Sequence, residues 1–374
     1  MTTRPLTILQ LTHQGEGAGS TQSIFGLSVQ LRRRGHRVLI GSRAGTLLAR
    51  LAEAERGDGQ LAFVPLDFHR LRPLADAVAA VIARERVDVV NSHATRDRRA
   101  LTWLRWRGRL PQALVVTRRT MPLTSPAELV AVGWTADRTI AVSPAVARAL
   151  RRRLHPTARM RVVPNGIDLA RVDAPAAPED LAAARAALGE VGDRPLVVVV
   201  ARRKDQDVLI RALAAVKRPV AVACVGVEVD EELRVAAAAA PDRHRVVFIP
   251  FTERPQAFYR LAAVAALPSR IEGLSQTLLE AMALGVPVIA SDAGGNPDLV
   301  THGVTGLLAR PLEPAAWARA LEVALGDVSH AARLADTARR VVRQDYTLAR
   351  TAQGTEAVYR EALQRRLLRG EAPR

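Results

Sequence analysis

The chain is poor in cysteine, lysine and aromatic residues, and it holds no long hydrophobic run. Its one cysteine, Cys224, lies in the strand-like run PVAVACVGV. It reads as a small buried hydrophobe, and no internal disulfide can brace the fold. Among 54 Lys and Arg residues only Lys204 and Lys217 are lysines. Aromatic residues make up 3%, so Ala, Val and Leu must build the core, a composition that suits helices packed on buried parallel strands. No apolar stretch approaches the ~18–20 residues of a membrane-crossing helix. The opening MTTRPLTILQLTHQG lacks the long apolar core of a signal peptide and enters a strand pattern at once. No periodic repeat or low-complexity tract is present. The expectation is a soluble cytoplasmic protein, peripheral at most at the inner face of the cytoplasmic membrane.

What is present is positive charge, unevenly placed. Of the net +17, residues 1–170 carry 27 Arg against 12 acids, or +15, and residues 171–374 carry 27 Lys or Arg against 25 acids, or +2. An arginine-rich genome explains Arg over Lys but not the difference between halves. The asymmetry points to a polyanionic partner: nucleic acid, an acidic membrane surface or a phosphorylated acceptor. No recognised nucleic-acid-reading motif occurs, so nucleic acid is not the expected partner. In RDRRALTWLRWRGRLP, Trp103 and Trp106 sit among Arg98, Arg99, Arg105, Arg107 and Arg109, which suits the headgroup region of an anionic bilayer. Leu101 and Leu104 would equally serve as the core face of an ordinary helix.

A chain of 374 residues fits two domains of about 150–200 residues. Short apolar runs alternate with amphipathic helices, the mark of a parallel sheet. Strands are expected over 6–12, 37–42, 61–65, 87–92, 113–117 and 139–142, then over 196–201, 220–225, 246–250, 263–267, 286–291 and 306–309. The Pro/Ala-rich stretch 159–181 reads as the linker. The fold class is α/β: two doubly wound Rossmann-like domains, 1–168 and 169–349, facing across a cleft.

The most informative stretch is SRIEGLSQTLLEAMALGVPVIASDAGGNPDLVTHGVTG, residues 269–306. Glu272 is followed by Gly273, and Glu280 comes two turns along the next helix. A loop glutamate can accept hydrogen bonds from sugar hydroxyls, and the second can reach a ribose. Free N–H groups at the helix start, near Leu274 and Ser275, can hold a phosphate. A strand, the Gly294-Gly295 turn and Pro297-Asp298 follow. Two glutamates alone would carry little, because E-x7-E arises by chance in many helices; the flanking glycines, proline and strand carry the reading. With them the chain resembles family 4 of the retaining nucleotide-sugar glycosyltransferases, whose second domain carries E-G-x6-E, then A-M-A-x-G-x-P-V-I-A-S and G-G-x-P-[ED]. Asp298 stands where Glu is commoner.

The resemblance implies a GT-B enzyme that transfers a hexose or related sugar from a nucleotide-diphosphate donor to a hydroxyl acceptor, with retention and without metal. It implies no cofactor, since the nucleotide sugar is substrate. It also implies that the last helix, about 350–374, crosses back to complete the first domain. The family has G-R, then K-G, where this chain reads Ala201-Arg202-Arg203-Lys204-Asp205, so Arg202 and Lys204 are the candidates for the donor diphosphate, with Arg203 as a substitute for Arg202. Asp205-Gln206-Asp207 looks like a D-x-D metal motif, but acids in a helix's first turn beside two cations read as dipole partners. His93 matches the family's cleft histidine beside the donor sugar. In the loop 13–20, Gly17 and Gly19 are the glycines placed to let backbone N–H groups approach a phosphate. Gly19 stands where the family has its loop glycine, and Ala18 where a second is common. The loop departs from G-x-G-x-x-G spacing and lacks the acid about 20 positions on, which argues against NAD. Arg118 and Arg119 end a first-domain strand and could meet acceptor or donor phosphate. His36, after a turn glycine, reads as structural.

Glu272 and His93 are thus the expected catalytic residues, with Gly17, Gly19, Arg202, Lys204, Gly273, Leu274, Ser275 and Glu280 on the donor. The acceptor is expected to be lipid-linked or a surface polysaccharide, lipopolysaccharide included. A sugar-nucleotide epimerase or phosphorylase on the same fold is the rival reading, and a basic nucleic-acid-binding protein the remoter one.

Overall fold

The computed structural model describes residues 4–370 except 17–18, 56, 58 and 122–125; of residues 126–129 it describes the backbone alone. Gly17 therefore lies outside the described residues. The chain divides into two compact units. One runs up to Gly166 and resumes at Leu348; the other is Ile167–Thr347.

In the first unit the strands are β1 (Thr7–Leu11), β2 (Arg37–Ser42), β3 (Leu61–Pro65), β4 (Val89–Ser92), β5 (Ala113–Arg118), β6 (Arg138–Ala141) and β7 (Met160–Val162). They form a parallel sheet in the order β3-β2-β1-β4-β5-β6-β7. The second unit holds β8 (Leu196–Val200), β9 (Ala221–Val225), β10 (Arg245–Ile249), β11 (Val264–Leu267), β12 (Val288–Ser291) and β13 (Leu307–Ala309). Their order is β10-β9-β8-β11-β12-β13, again parallel. Strands such as LVVVV and AVACV are buried along nearly their whole length because helices cover both faces. Cys224 is fully buried in β9. Each sheet reverses its winding once, between β1 and β4 and between β8 and β11. Open α/β sheets bind ligands at such reversals, outside the carboxyl ends of the strands.

The stretch 159–181 is not a free linker. Met160 pairs with Thr139, making β7 the seventh strand, and helices Leu169–Asp173 and Pro178–Leu188 follow. Proline misleads here because Pro178 occupies the first helical turn, where its missing N–H costs nothing. The tail is also divided: helix Val328–Asp345 closes the second unit, and helix Leu348–Leu368 belongs to the first.

That last helix is fastened by charge as well as by packing. The Glu356 carboxylate meets Arg34 at 2.6 Å, Arg360 at 2.7 Å and His36 Nε2 at 3.4 Å. His36 is itself buried, with Nδ1 accepting from the Leu6 N–H at 3.1 Å. Burial alone would raise the Glu356 pKa, but the two arginine hydrogen bonds and the neighbouring charges draw it down to about 2. A depressed carboxylate stabilises the fold above its unfolded pKa and loses that contribution as pH falls toward the folded value. Glu356→Gln is therefore expected to cost about 1.5–3 kcal/mol at neutral pH. The difference in melting temperature should shrink as pH falls from about 4.5 towards about 2. A gap unchanged over that interval would contradict the assignment.

Candidate functional site

In the second unit, the loops leaving β8 and β11 at the winding reversal carry most of the residues singled out from the sequence. The first loop leads into helix Gln206–Ala212 and the second into helix Gln276–Ala283. Lys204 Nζ lies 2.9 Å from Glu272 Oε1 and 3.3 Å from the Ile271 carbonyl, joining the two loops. Arg270 and Asp205 make a second tie, Nη2 to Oδ1 at 2.9 Å and Nε to Oδ2 at 3.1 Å. Buried Gln206 shapes the first loop by accepting from the Lys204 N–H at 2.6 Å and donating to the Arg202 carbonyl at 2.6 Å.

The second loop is seated by glycine. Gly294 adopts φ +60°, and a Cβ there would stand 2.8 Å from the Glu272 nitrogen. At Gly295 a Cβ would fall 1.9 Å from the Gly273 carbonyl oxygen, while the Gly295 N–H donates to the Glu272 carbonyl at 2.9 Å. Only a backbone without a side chain can lie this close. Beneath it Asn296, fully buried, donates to the carbonyls of Ser269 and Ser291 at 3.2 Å, and Ser291 donates to Ser269. Ser275 caps the helix that follows, its Oγ accepting from the Leu278 N–H at 3.3 Å. The hydroxyl satisfies one first-turn donor and leaves others of that turn for an anion.

Glu280, which the sequence suggests lies two turns along this helix, stands just over one turn from its start, buried and paired with Arg171. Burial pushes its carboxyl up and Arg171 pulls it back, with a net rise. Tyr259 lies beside it, its phenol raised well above the usual value by burial and then by Glu280.

Arg202 and Arg203 differ in their contacts. Arg203 is spent on three carboxylates, Asp230 at 2.7 Å, Asp207 at 2.7 Å and Glu232 at 2.6 Å, whereas Arg202 is exposed. The D-x-D acids are likewise engaged, Asp205 by Arg270 and Asp207 by Arg203. Asp205 does not cap the helix by its side chain; it precedes it with φ +59°.

The first unit gathers a different cluster at its own reversal. His93 follows β4, and Asp97 fixes its backbone by accepting from the N–H groups of His93 at 2.9 Å and Ala94 at 2.8 Å and from Ser92 Oγ at 2.6 Å. Both ring nitrogens are engaged. Arg119 Nε donates to Nδ1 at 3.2 Å, so Nε2 carries the proton and donates to Gln10 Oε1 at 2.7 Å. Gln10 and Asn91 donate to the Tyr359 hydroxyl at 3.0 and 2.7 Å, which ties the last helix to β1 and β4. Burial, then Arg119, lowers the His93 pKa well below the usual value. A neutral imidazole with no free nitrogen acts as a positioned hydrogen-bonding group, not as a proton carrier. Arg118 is buried in β5, and Gly19 opens helix Gly19–Arg33. Leu101 and Leu104 are core residues of helix Thr95–Trp106; Trp103 lies under Arg107 and Arg109, and Trp106 is 70% exposed.

Sequence reasoning missed Arg171, Asn296, Asp97, Gln10 and Tyr359. Asp97 had a legible signal, an acid at the third position of a helix start. The others depend on contacts distant in sequence.

Comparison with known proteins follows this geometry. Residues 17–171 match the model described as Glycosyltransferase Family 4, and residues 182–341 the one described as Glycosyl transferases group 1. The chain is 38% identical over 222 residues to a D-inositol 3-phosphate glycosyltransferase of Nocardia farcinica, covering 55% of this chain and 48% of that one. It is 38% identical over 197 residues to a GDP-mannose-dependent alpha-(1-6)-phosphatidylinositol monomannoside mannosyltransferase of Mycolicibacterium smegmatis, covering 48% and 50%. The chain thus spans about half the length of these curated relatives. Among solved structures, Anabaena HepE in complex with UDP and glucose superposes with a TM-score of 0.79 at 24% identity, over 94% of this chain and 98% of that one. Sucrose-phosphate synthase of Thermosynechococcus elongatus gives 0.77 at 22%, over 95% and 98%. At these identities the superpositions establish the fold.

The glycine seating yields a test. Gly295→Ala is expected to lower the melting temperature far more than Gly303→Ala. The latter has φ +73° with open space around it and should cost only about 1–2 kcal/mol. Equal effects would mean that the loop contact is not what holds Glu272 in place.

Proposed function

We propose, for a chain that belongs to the GT-B glycosyltransferases of the family 4 type, that it moves a sugar from a nucleotide-diphosphate donor to a hydroxyl acceptor, with retention and without a metal ion. The Lys204–Glu272 contact carries this reading. It joins a cation and a carboxylate beside the start of a capped helix at one winding reversal, and Glu280 lies about one turn into that helix.

Each group has a task that its chemistry fits. Arg202, which meets no carboxylate among the described residues, and Lys204 take the donor diphosphate, whose charge grows as the sugar–phosphate bond breaks. The first-turn N–H groups near Leu274 and Ser275 add oriented dipoles to the same phosphates. Glu272 accepts from sugar hydroxyls and, through Lys204, keeps the ammonium aimed at the diphosphate. Glu280 accepts from the ribose hydroxyls, and Arg171 opposes the upward pull that burial exerts on its carboxyl. No divalent ion is required where two cations and a helix end already neutralise the leaving group. The acceptor is lipid-linked or a surface polysaccharide, approached from an anionic membrane face that the basic residues of the first unit and exposed Trp106 favour.

Glu272→Ala and Lys204→Ala should each cut kcat/KM by about 100-fold or more in a screen of nucleotide sugars. Glu272→Ala should keep part of its thermal shift with the nucleoside diphosphate alone, through Arg202 and the helix start, while Glu280→Ala should lose it. Variants that turn over donor as the parent does would end this assignment. Trp106→Ala should reduce co-sedimentation with phosphatidylglycerol vesicles; the same sedimentation as the parent would remove the membrane face.

A further inference from the structure

We propose that Arg119 is the receptor for a phosphate group carried by the acceptor, in a site built wholly within the first unit. The word acceptor rests on the sugar-transfer reading above; the anion site itself does not.

Arg119 leaves the carboxyl end of β5, beside β4. Its Nε donates to His93 Nδ1 at 3.2 Å, and its Nη1 donates to Ser23 Oγ and Asn165 Oδ1, both at 2.8 Å. All three acceptors are neutral. Two other partly buried arginines of this unit meet carboxylates, Arg105 with Asp137 at 3.0 Å and Arg138 with Glu361 at 2.8 Å, whereas Arg159 is held by three backbone carbonyls. Arg119 meets no carboxylate among the described residues, and burial draws its pKa down to about 10. Holding a cation partly out of water without a counter-charge is costly, and neutral hydrogen bonds orient it without cancelling its charge. Nη2 has no acceptor among the described residues, and it is this edge of the guanidinium that the phosphate would take.

The surroundings suit a phosphate. Ser23, which steadies Nη1, lies in the opening turns of helix Gly19–Arg33, whose first N–H groups favour an anion. His93 supports the guanidinium only while neutral, because an imidazolium could not accept from Nε. The chain keeps it so: Nε2 is turned to Gln10, and burial holds the pKa down. The excess of +15 over residues 1–170 adds long-range attraction for a doubly charged group.

The test is calorimetric titration of the full chain with inorganic phosphate, glycerol 3-phosphate and UDP, alongside NMR of the His93 ring nitrogens. Inorganic phosphate and glycerol 3-phosphate should bind the parent and shift the Nδ1 resonance. Arg119→Gln should weaken both by about tenfold or more, and Arg119→Lys by less. UDP affinity should be the same in parent and variants. Phosphate binding that survives Arg119→Gln, an Nδ1 resonance that phosphate leaves unmoved in the parent, or no uptake of either phosphate would overturn the proposal. A matching loss of UDP affinity in Arg119→Gln would also overturn it, by assigning the guanidinium to the donor. Failure of the sugar-transfer reading has another signature: a parent indifferent to UDP that still takes up phosphate through Arg119.

Discussion

The second unit depends on one close approach, the backbone of Gly294-Gly295 against that of Glu272-Gly273. No side chain fits between them, so the loop after β11 has one seat. Its height is set from below by Asn296 and Ser291 holding the Ser269 carbonyl. Everything chemical in that unit follows from the seat: the direction of Glu272, the reach of Lys204, and the point at which Ser275 starts the helix. A preorganised site needs this stiffness, because a carboxylate free to swing would lose the oriented electrostatics that charge development requires.

The first unit achieves fixity by another route. There a buried amide and imidazole network, Gln10, Asn91, His93 and Tyr359, satisfies itself across β1, β4 and the last helix. Thr117 adds a donor to Asn91 at 2.9 Å. Buried polar groups are costly when unpaired and specific when paired. The network therefore selects one rotamer and one tautomer for His93.

Much of this was legible from the letters alone. Runs such as LVVVV announce buried parallel strands because nothing else tolerates so many β-branched residues. The segment 269–306 was readable because its logic is local: a loop acid, a capping serine, a helix and a glycine pair within 38 residues. Pairings across long separations were not. Arg171 and Glu280 are 109 positions apart and Gln10 and Tyr359 are 349 apart, and neither pair leaves a periodic trace. The Arg202–Arg203 ambiguity had the same source, since only the placement of Asp230 and Glu232 decides which arginine is spent. The linker stretch 159–181 does hold the division between the units, at Gly166 and Ile167, but not the strand and helices within it, because composition rich in Pro and Ala describes a helix start as well as a connector.

The return of the last helix has a consequence for biosynthesis. Tyr359 supplies the oxygen that the amides of Gln10 and Asn91 require, yet it leaves the ribosome some 270 residues or more after either of them. Residues 167–347 form a contiguous unit and can close as they emerge. The unit begun first is thus finished last, its amides left to water or to chaperones until the terminal helix arrives.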